Sequence, residues 1–237
     1  MSFTLDDFDV ITFDVYGTLI DWEPSIIAFL GNWARRHGIT EDGHTLLMGF
    51  DQARAVIQQE RPALLYPDVL RRCFRQICAE HDVSPDPETC EQFAGTPHDW
   101  PAYPDTHDGL ARLQKQARIG ALSNIDNASL AASCRHMQIR FDITVTAERV
   151  GAYKPDMPHF EAALADIDAL GIPRERILHV GQSLRADITP ANRLGLTSVR
   201  IHRPDRHLGL TGFGAEEARP DLTVSTLAEL VSVLTDH

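Results

Sequence analysis

Short runs of apolar residues recur along this 237-residue chain, and most are rich in β-branched side chains without alternating polar positions. Such runs are typical of strands that are buried on both faces of a parallel sheet. They predict five strands and a weaker sixth: Val10–Phe13, Ile119–Leu122, Ile143–Val145, Ile177–Val180, Ser198–Ile201 and Leu222–Val224.

The intervals between these runs carry the spacing of apolar residues that is typical of helices. Helices are predicted at Thr106–Ala117, Asn127–Met137, Met157–Leu170 and Asp187–Leu194. Strands and helices that alternate in this way indicate βαβ units, and therefore an α/β fold with a doubly wound parallel sheet.

One interval is far longer than a crossover between parallel strands requires. A crossover needs about a dozen residues, but about 100 residues separate the first two predicted strands. Helical spacing occurs at residues 25–37, 44–60 and 67–81, and five prolines between Pro85 and Pro104 mark a short return segment. We therefore predict a mostly helical cap domain, residues 22–100, inserted into a catalytic core of residues 1–21 and 101–237. The alternative is a set of helices packed directly on the sheet.

Polar side chains follow four of the predicted strands, where open α/β sheets bind their ligands. They are Asp14 and Thr18 after the first strand, Ser123 and Asn124 after the second, Lys154 after the third, and Ser183 and Asp187 after the fourth. Each alone is weak evidence, because a strand-end aspartate is more often a cap or turn residue. Together they predict a catalytic site. Lys154 is expected to hold Asp14 ionised, since a nearby cation lowers the pKa of a carboxylate.

This order of motifs resembles the haloacid dehalogenase superfamily. Asp14 to Thr18 match its first motif, Ser123 its second, Lys154 its third and Asp187 its fourth. The resemblance covers most of the chain, including the placement of the cap. It implies a Rossmann-like core in which Asp14 attacks the substrate covalently.

Within that superfamily, the residue two positions after Asp14 separates two branches. Phosphatases carry a second aspartate there as general acid, whereas this chain has Tyr16. The segments Phe13–Leu19 and Leu122–Asn124 resemble the L-2-haloacid dehalogenases instead. A halide leaves without a proton, whereas the alkoxide of a phosphate ester benefits from one. The expected activity is hydrolysis of the carbon–halogen bond of short 2-haloalkanoates to 2-hydroxy acids.

The resemblance to the dehalogenases also implies roles for individual residues. Thr18 and Ser123 would orient the Asp14 carboxylate, Asn124 would help to stabilise the departing halide, and Asp187 would position Lys154 or polarise water. The substrate would contact Val15 and Tyr16 through their backbone N–H groups, together with Phe160 and Ser183. Phe160 stands where these enzymes commonly have a tyrosine. They also use a cap arginine, for which the sequence offers Arg54, Arg61, Arg71 and Arg72 without distinguishing them.

No cofactor is expected, because Gln182 occupies a position where phosphatases have a carboxylate for Mg²⁺. Mg²⁺ at Asp14 and Asp187 belongs to an alternative function, that of a Mg²⁺-dependent phosphatase. An alternative of another class is a catalytically inactive binding module of the same fold, since fold alone does not establish activity.

Composition limits the partners. The net charge of −12 and the lack of a Lys/Arg run argue against nucleic acid. No apolar run approaches the roughly 18 residues of a membrane helix, and the N-terminus lacks a signal pattern. We therefore expect a cytoplasmic enzyme that binds a small acidic substrate. A homodimer is implied only by the resemblance.

Overall fold

The computed structural model describes residues 3–204, 206–208 and 215–235. These residues form a six-stranded sheet in the order β3-β2-β1-β4-β5-β6, and every neighbouring pair is parallel. The strands are β1 Val10–Phe13, β2 Arg118–Ser123, β3 Ile143–Thr146, β4 Ile177–Gly181, β5 Thr197–Ile201 and β6 Leu222–Val224. This is the strand order of a Rossmann-like sheet, so the predicted fold class is confirmed, and the weak sixth strand is present.

Helices separate the strands. The α-helices of the described residues are α1 Glu23–Arg36, α2 Gly43–Ile57, α3 Tyr66–Glu80, α4 Pro87–Gly95, α5 Thr106–Leu113, α6 Asn127–Met137, α7 Ala147–Val150, α8 Pro158–Asp168, α9 Thr189–Arg193 and α10 Leu227–Thr235. Short 3₁₀ helices lie at Leu5–Asp7, Thr96–Asp99 and Arg174–Arg176, and a π-helical turn spans Leu184–Ile188. None of these helices is both long and apolar enough to cross a bilayer.

The proline-rich return segment contains a helix that the sequence analysis did not predict. Pro87 is the first residue of α4, and the carboxylate of Asp86 caps the helix by accepting the N–H of Thr89 at 2.9 Å. Proline is favoured in the first turn of a helix because its fixed φ suits that position and its missing N–H would have no partner there. The return segment marked by the five prolines therefore includes a helix.

The two connections between the sheet and residues 22–100, called the insertion below, lie side by side. Ile20 forms an antiparallel bridge with Ala102, and the N–H of Asp21 donates to the carbonyl of Pro101 at 2.8 Å. The chain thus leaves and returns at one point, next to the predicted boundaries. That the insertion is a domain of its own stays a prediction.

An aromatic cluster fills the centre of the insertion. Its members are Phe29, Trp33, Phe50, Phe74 and Phe93. Phe74 contacts three of them and stacks on Phe93 with the ring centroids 5.3 Å apart. This cluster holds together α1 to α4, which supply all five rings.

Replacement of Phe74 by alanine should lower the free energy of unfolding by about 3–5 kcal/mol, because a fully buried ring is replaced by a cavity. Urea denaturation followed by circular dichroism measures the change. The control is Val56→Ala, since Val56 lies on α2 and is 66% exposed, and its effect should be close to zero. A similar, small effect for both variants would contradict the proposed role of the cluster.

Candidate active site

The carboxyl ends of β1 and β4, together with the loop after β3, place two acids and one lysine in contact. Lys154 Nζ lies 3.0 Å from Asp14 Oδ1 and 2.7 Å from Asp187 Oδ1. Its third proton goes to the carbonyl of Leu122 at 2.7 Å. All three donors of the ammonium group are thus used, and the sequence correctly grouped Asp14, Lys154 and Asp187.

Burial and charge act in opposite directions on the pKa values of this cluster. Burial raises the pKa of Asp14, and the charge of Asp187 adds to the rise, so the opposing effect of Lys154 is outweighed. Burial also acts to raise the pKa of Asp187, but Lys154 and His179 hold it at about 2. Burial would lower the pKa of Lys154, yet the two carboxylates raise it overall. Lys154 was expected to hold Asp14 ionised by lowering its pKa, and its charge acts in that direction, but burial and the charge of Asp187 outweigh it.

Thr18 contacts Asp14, the predicted nucleophile. Its hydroxyl donates to Asp14 Oδ2 at 2.6 Å. The carbonyl of Thr18 is fixed in turn by Arg203, whose Nε and Nη2 donate to it at 3.1 and 2.8 Å. Between these residues Gly17 has φ +99°, a conformation that favours glycine, and this allows the tight turn after β1.

Ser123 does not make its predicted contact with Asp14, and Asn124 contacts the backbone of Lys154. The Ser123 hydroxyl is buried at the cavity and has no hydrogen-bond partner among the described residues. The Asn124 amide accepts from the N–H of Lys154 at 2.6 Å and donates to its carbonyl at 3.1 Å. Asn124 therefore holds the backbone of the lysine, and its contact with a departing halide stays a prediction.

Three of the residues expected to bind substrate differ in their surroundings: Val15, Tyr16 and Ser183. Tyr16 lines the cavity, and its hydroxyl forms a hydrogen bond of 2.7 Å with Ser133. The side chain of Val15 is buried in the core, and its carbonyl accepts three N–H groups of the turn. Ser183 lines the cavity, but its hydroxyl accepts the N–H of Ala186 at 3.0 Å. The expected substrate contacts of these residues remain predictions.

Phe160 does not line the cavity, and its assignment to substrate binding was wrong. It lies on α8, is 1% exposed and packs in the core with Leu122 and Val145. The edge of its ring faces His179, with the centroids 4.9 Å apart. Phe160 is six residues after Lys154 in the chain, but its place at the start of α8 directs its side chain into the core.

The insertion supplies cationic and aromatic groups that cover Asp14. They line a cavity of about 210 Å³, a volume suited to a small molecule. The contributors from the insertion are Trp22, Asp51, Arg54, Ala55, Gln58, Gln59, Arg61, Tyr66 and Trp100. Of the four candidate arginines, Arg54 and Arg61 thus reach the site, whereas Arg71 and Arg72 pair with acids on the surface of the insertion. The sequence missed this distinction because all four are arginines of the same insertion, and only its folding shows which of them face the core.

Two contacts join the insertion to the loop that carries Lys154. The hydroxyl of Tyr153 donates to the carbonyl of Leu64 at 2.9 Å. Asp156 forms an ion pair with Arg61. These contacts lie on either side of Lys154.

The donors near Asp14 do not fit Mg²⁺, which prefers several anionic oxygens. Both oxygens of Asp187 already accept hydrogen bonds, from Lys154 at 2.7 Å and from the N–H of Ser183 at 3.0 Å. Gln182 offers a neutral amide where a third carboxylate could stand. Across residues 3–204, 206–208 and 215–235, no cluster of three His, Cys, Asp or Glu side chains is arranged to hold a metal.

Comparison with known proteins gives one family and two kinds of relative. A sequence model of haloacid dehalogenase-like hydrolases matches residues 8–195. The 5-amino-6-(5-phospho-D-ribitylamino)uracil phosphatase YigB of Escherichia coli is 28% identical, over 94% of this chain and 95% of its own. Glyceraldehyde 3-phosphate phosphatase of Methanocaldococcus jannaschii is 31% identical, but the match covers only 40% of this chain and 38% of that protein.

Solved structures of similar fold carry a different activity in their names. The defluorinating L-2-haloacid dehalogenase Rha0230 superposes with a TM-score of 0.78 and 20% identity, over 98% of both chains. The L-2-haloacid dehalogenase of Xanthobacter autotrophicus also gives 0.78, with 19% identity, over 95% of this chain and 98% of its own. At this identity the likeness extends to the fold and no further.

Behind the site, His159 provides a test of the packing of α8 against β2. Its Nε2 donates to the carbonyl of Ser123 at 3.1 Å, and burial, with a smaller effect of Lys154, lowers its pKa to about 3. The unfolded chain binds a proton near pH 6.5 that the folded chain does not, so stability falls as the pH drops below that value.

When the pH falls from 7 to 5, we expect His159 to lower the free energy of unfolding by about 2 kcal/mol. His159→Gln keeps a donor for the carbonyl of Ser123 but does not titrate, so it should show a smaller loss over the same interval. The measurement is the urea unfolding free energy of both proteins at the two pH values. Equal losses in both would mean that His159 can take up a proton in the folded state.

Proposed function

Because the chain belongs to the haloacid dehalogenase-like hydrolases, we propose that Asp14 displaces the halide from C2 of a short 2-haloalkanoate and that the product is a 2-hydroxy acid. The proposal rests on the chemistry of the groups around Asp14. The dehalogenase names of the similar structures are consistent with it, and the phosphatase names of the sequence relatives give it a competitor.

The observation that carries the proposal is that the cavity offers no suitable proton donor to a leaving group. The described carboxylates that line it, other than Asp14, are each paired with a cation: Asp51 with Arg54, Asp156 with Arg61, and Asp187 with Lys154. Ion pairing favours the ionised form of an acid. Tyr16 stands two residues after Asp14, and burial raises the pKa of its phenol further. A leaving group that needs no proton, such as a halide, suits this site best.

The reaction has two steps. A carboxylate oxygen of Asp14 attacks C2, forms an ester bond to it and releases the halide with its bonding electrons. Water then attacks the acyl carbon of Asp14, the ester bond breaks, and the 2-hydroxy acid leaves with one proton released. Thr18 and Lys154 hold the two oxygens of Asp14 in place for both steps. Because the pKa of Asp14 is raised, the nucleophile is protonated more readily in acid than an ordinary aspartate.

Arg54 is the residue of the insertion that we assign to the substrate. It lines the cavity, and its guanidinium carbon lies 5.3 Å from the ring centroid of Trp22. Asp51 pairs with Arg54, but the buried Nε of Arg54 has no hydrogen-bond partner among residues 3–204, 206–208 and 215–235. A guanidinium with a free donor suits either the carboxylate or the departing halide of the substrate.

A phosphatase is the second candidate, because YigB matches this chain almost from end to end and is named as one. The assay that separates the two functions measures halide release from chloroacetate, bromoacetate, fluoroacetate and both enantiomers of 2-chloropropionate, with Mg²⁺ and with EDTA. We expect halide release that EDTA does not affect. Phosphate release from a phosphomonoester that EDTA abolishes, without halide release from any haloacid, would instead establish the phosphatase.

The nucleophile is tested by Asp14→Asn and by isotope. The variant should lose halide release entirely, because an amide does not displace a halide. Asp166→Asn, which removes a charge paired with Arg149 away from the cavity, is the matched control and should keep the wild-type rate.

In a single turnover in ¹⁸O water, the label should enter the carboxylate of Asp14, while the first product carries unlabelled oxygen. Mass spectrometry of the active-site peptide and of the product measures both. Label found directly in the first product would mean that water, not Asp14, attacks C2.

A further inference from the structure

Arg206 is a further arginine that lines the cavity, and it comes from the core. It follows β5 in the chain, its side chain is 5% exposed, and its Nη2 pairs with Glu23 Oε1 at 2.7 Å. Its Nε and Nη1 are buried and have no hydrogen-bond partner among the described residues. A buried donor without an acceptor is unfavourable, so the site carries hydrogen-bond donors that no described residue pairs with.

Arg206 packs against the turn that carries Asp14, the proposed nucleophile. A Cβ atom built on Gly17 would lie 1.9 Å from Arg206 Nη1, so the guanidinium rests directly on the turn that carries Asp14. Arg206 and Asp14 line the same cavity. Tyr103 is a neutral neighbour, and its phenol lies close enough to Arg206 for the cation to oppose the rise of its pKa to about 12 by burial.

The guanidinium groups of Arg54 and Arg206 both lie near the indole ring of Trp22. The guanidinium carbons of Arg54 and Arg206 lie 5.3 and 5.6 Å from its ring centroid. The two cations are therefore separated by no more than the sum of these distances, and each retains a buried N–H without an acceptor. One guanidinium comes from the insertion and the other from the core. Their separation and their free donors suit a ligand with two anionic groups.

We propose that Arg206 determines specificity for a second acidic group, and that the substrates are 2-substituted short-chain dicarboxylic acids such as 2-chlorosuccinate. This inference rests on the proposed function for the reaction itself, but the binding of a dicarboxylate does not require that the reaction occur. Arg54 contacts the first carboxylate of the substrate. Arg206 contacts the distal carboxylate, which accepts hydrogen bonds from the free N–H groups of its guanidinium.

Binding is tested without turnover, with succinate as the probe and butyrate as its monocarboxylate match. Isothermal titration calorimetry of the full-length wild type should give a dissociation constant for succinate about tenfold or more below that for butyrate, since charge-assisted hydrogen bonds are strong. In Arg206→Met the ratio of the two constants should fall to about one. Arg206→Lys keeps the charge but loses the two parallel donors of the guanidinium, so its ratio of the two constants should lie between those of the wild type and Arg206→Met.

A loss of folding is controlled through Glu23. This residue is 2% exposed, and Arg206→Met would leave its carboxylate without the cation. The double variant Glu23→Gln/Arg206→Met removes both charges, and it should lose the preference for succinate while unfolding at a temperature closer to wild type. Arg185→Met tests another arginine that lines the same cavity. If Arg185→Met, and not Arg206→Met, removes the preference, the assignment to Arg206 is overturned.

Turnover provides the second readout. The ratio of kcat/KM for 2-chlorosuccinate to that for 2-chlorobutyrate should fall at least tenfold in Arg206→Met, mainly through KM. Preference for succinate in binding, without halide release from any haloacid, would overturn the proposed reaction but keep the role of Arg206. Halide release from 2-chloropropionate, with no preference for succinate over butyrate in the wild type, would overturn the role of Arg206 alone.

Discussion

The ammonium group of Lys154 lies between two buried carboxylates, and the rest of the site depends on this one arrangement. A buried charge without a partner is strongly destabilising, so neither Asp14 nor Asp187 could lie so deep without the lysine. With one cation for two acids, the cluster keeps a net negative charge, and Asp187 takes the shorter contact. Asp14 is left as the less stabilised carboxylate. This is the property expected of a nucleophile that must give up its charge to form an ester.

The sheet explains why the sequence could predict this cluster. Asp14 and Asp187 follow runs of apolar residues within a few positions, Lys154 comes after a third such run, and parallel strands bring their carboxyl ends to one edge. These are local features of the chain, and the six strands were predicted to within one residue at each end. Residues that approach the site from elsewhere were not predictable in this way. Arg54 and Arg206 are far apart in sequence, and only the packing of the insertion on the core brings both to Trp22.

The errors of prediction also have physical reasons. Phe160 was assigned by its distance from Lys154 along the chain, but the start of α8 turns its side chain into the core. Ser123 was expected to bond to Asp14, yet Thr18 occupies one oxygen of that carboxylate and Lys154 the other. The helix α4 was not predicted because the prolines were taken only as marks of a return segment, although proline is favoured in the first turn of a helix. In each case the residue type was read correctly and its three-dimensional neighbours were not.

The contacts of Tyr153 with Leu64 and of Asp156 with Arg61 give the loop of Lys154 a second property. The insertion and the core line the cavity together. Any displacement of the insertion away from the core would break these two contacts or pull on the short segment of chain that carries Lys154. The position of the insertion and the position of the ammonium group beside Asp14 are thus mechanically linked.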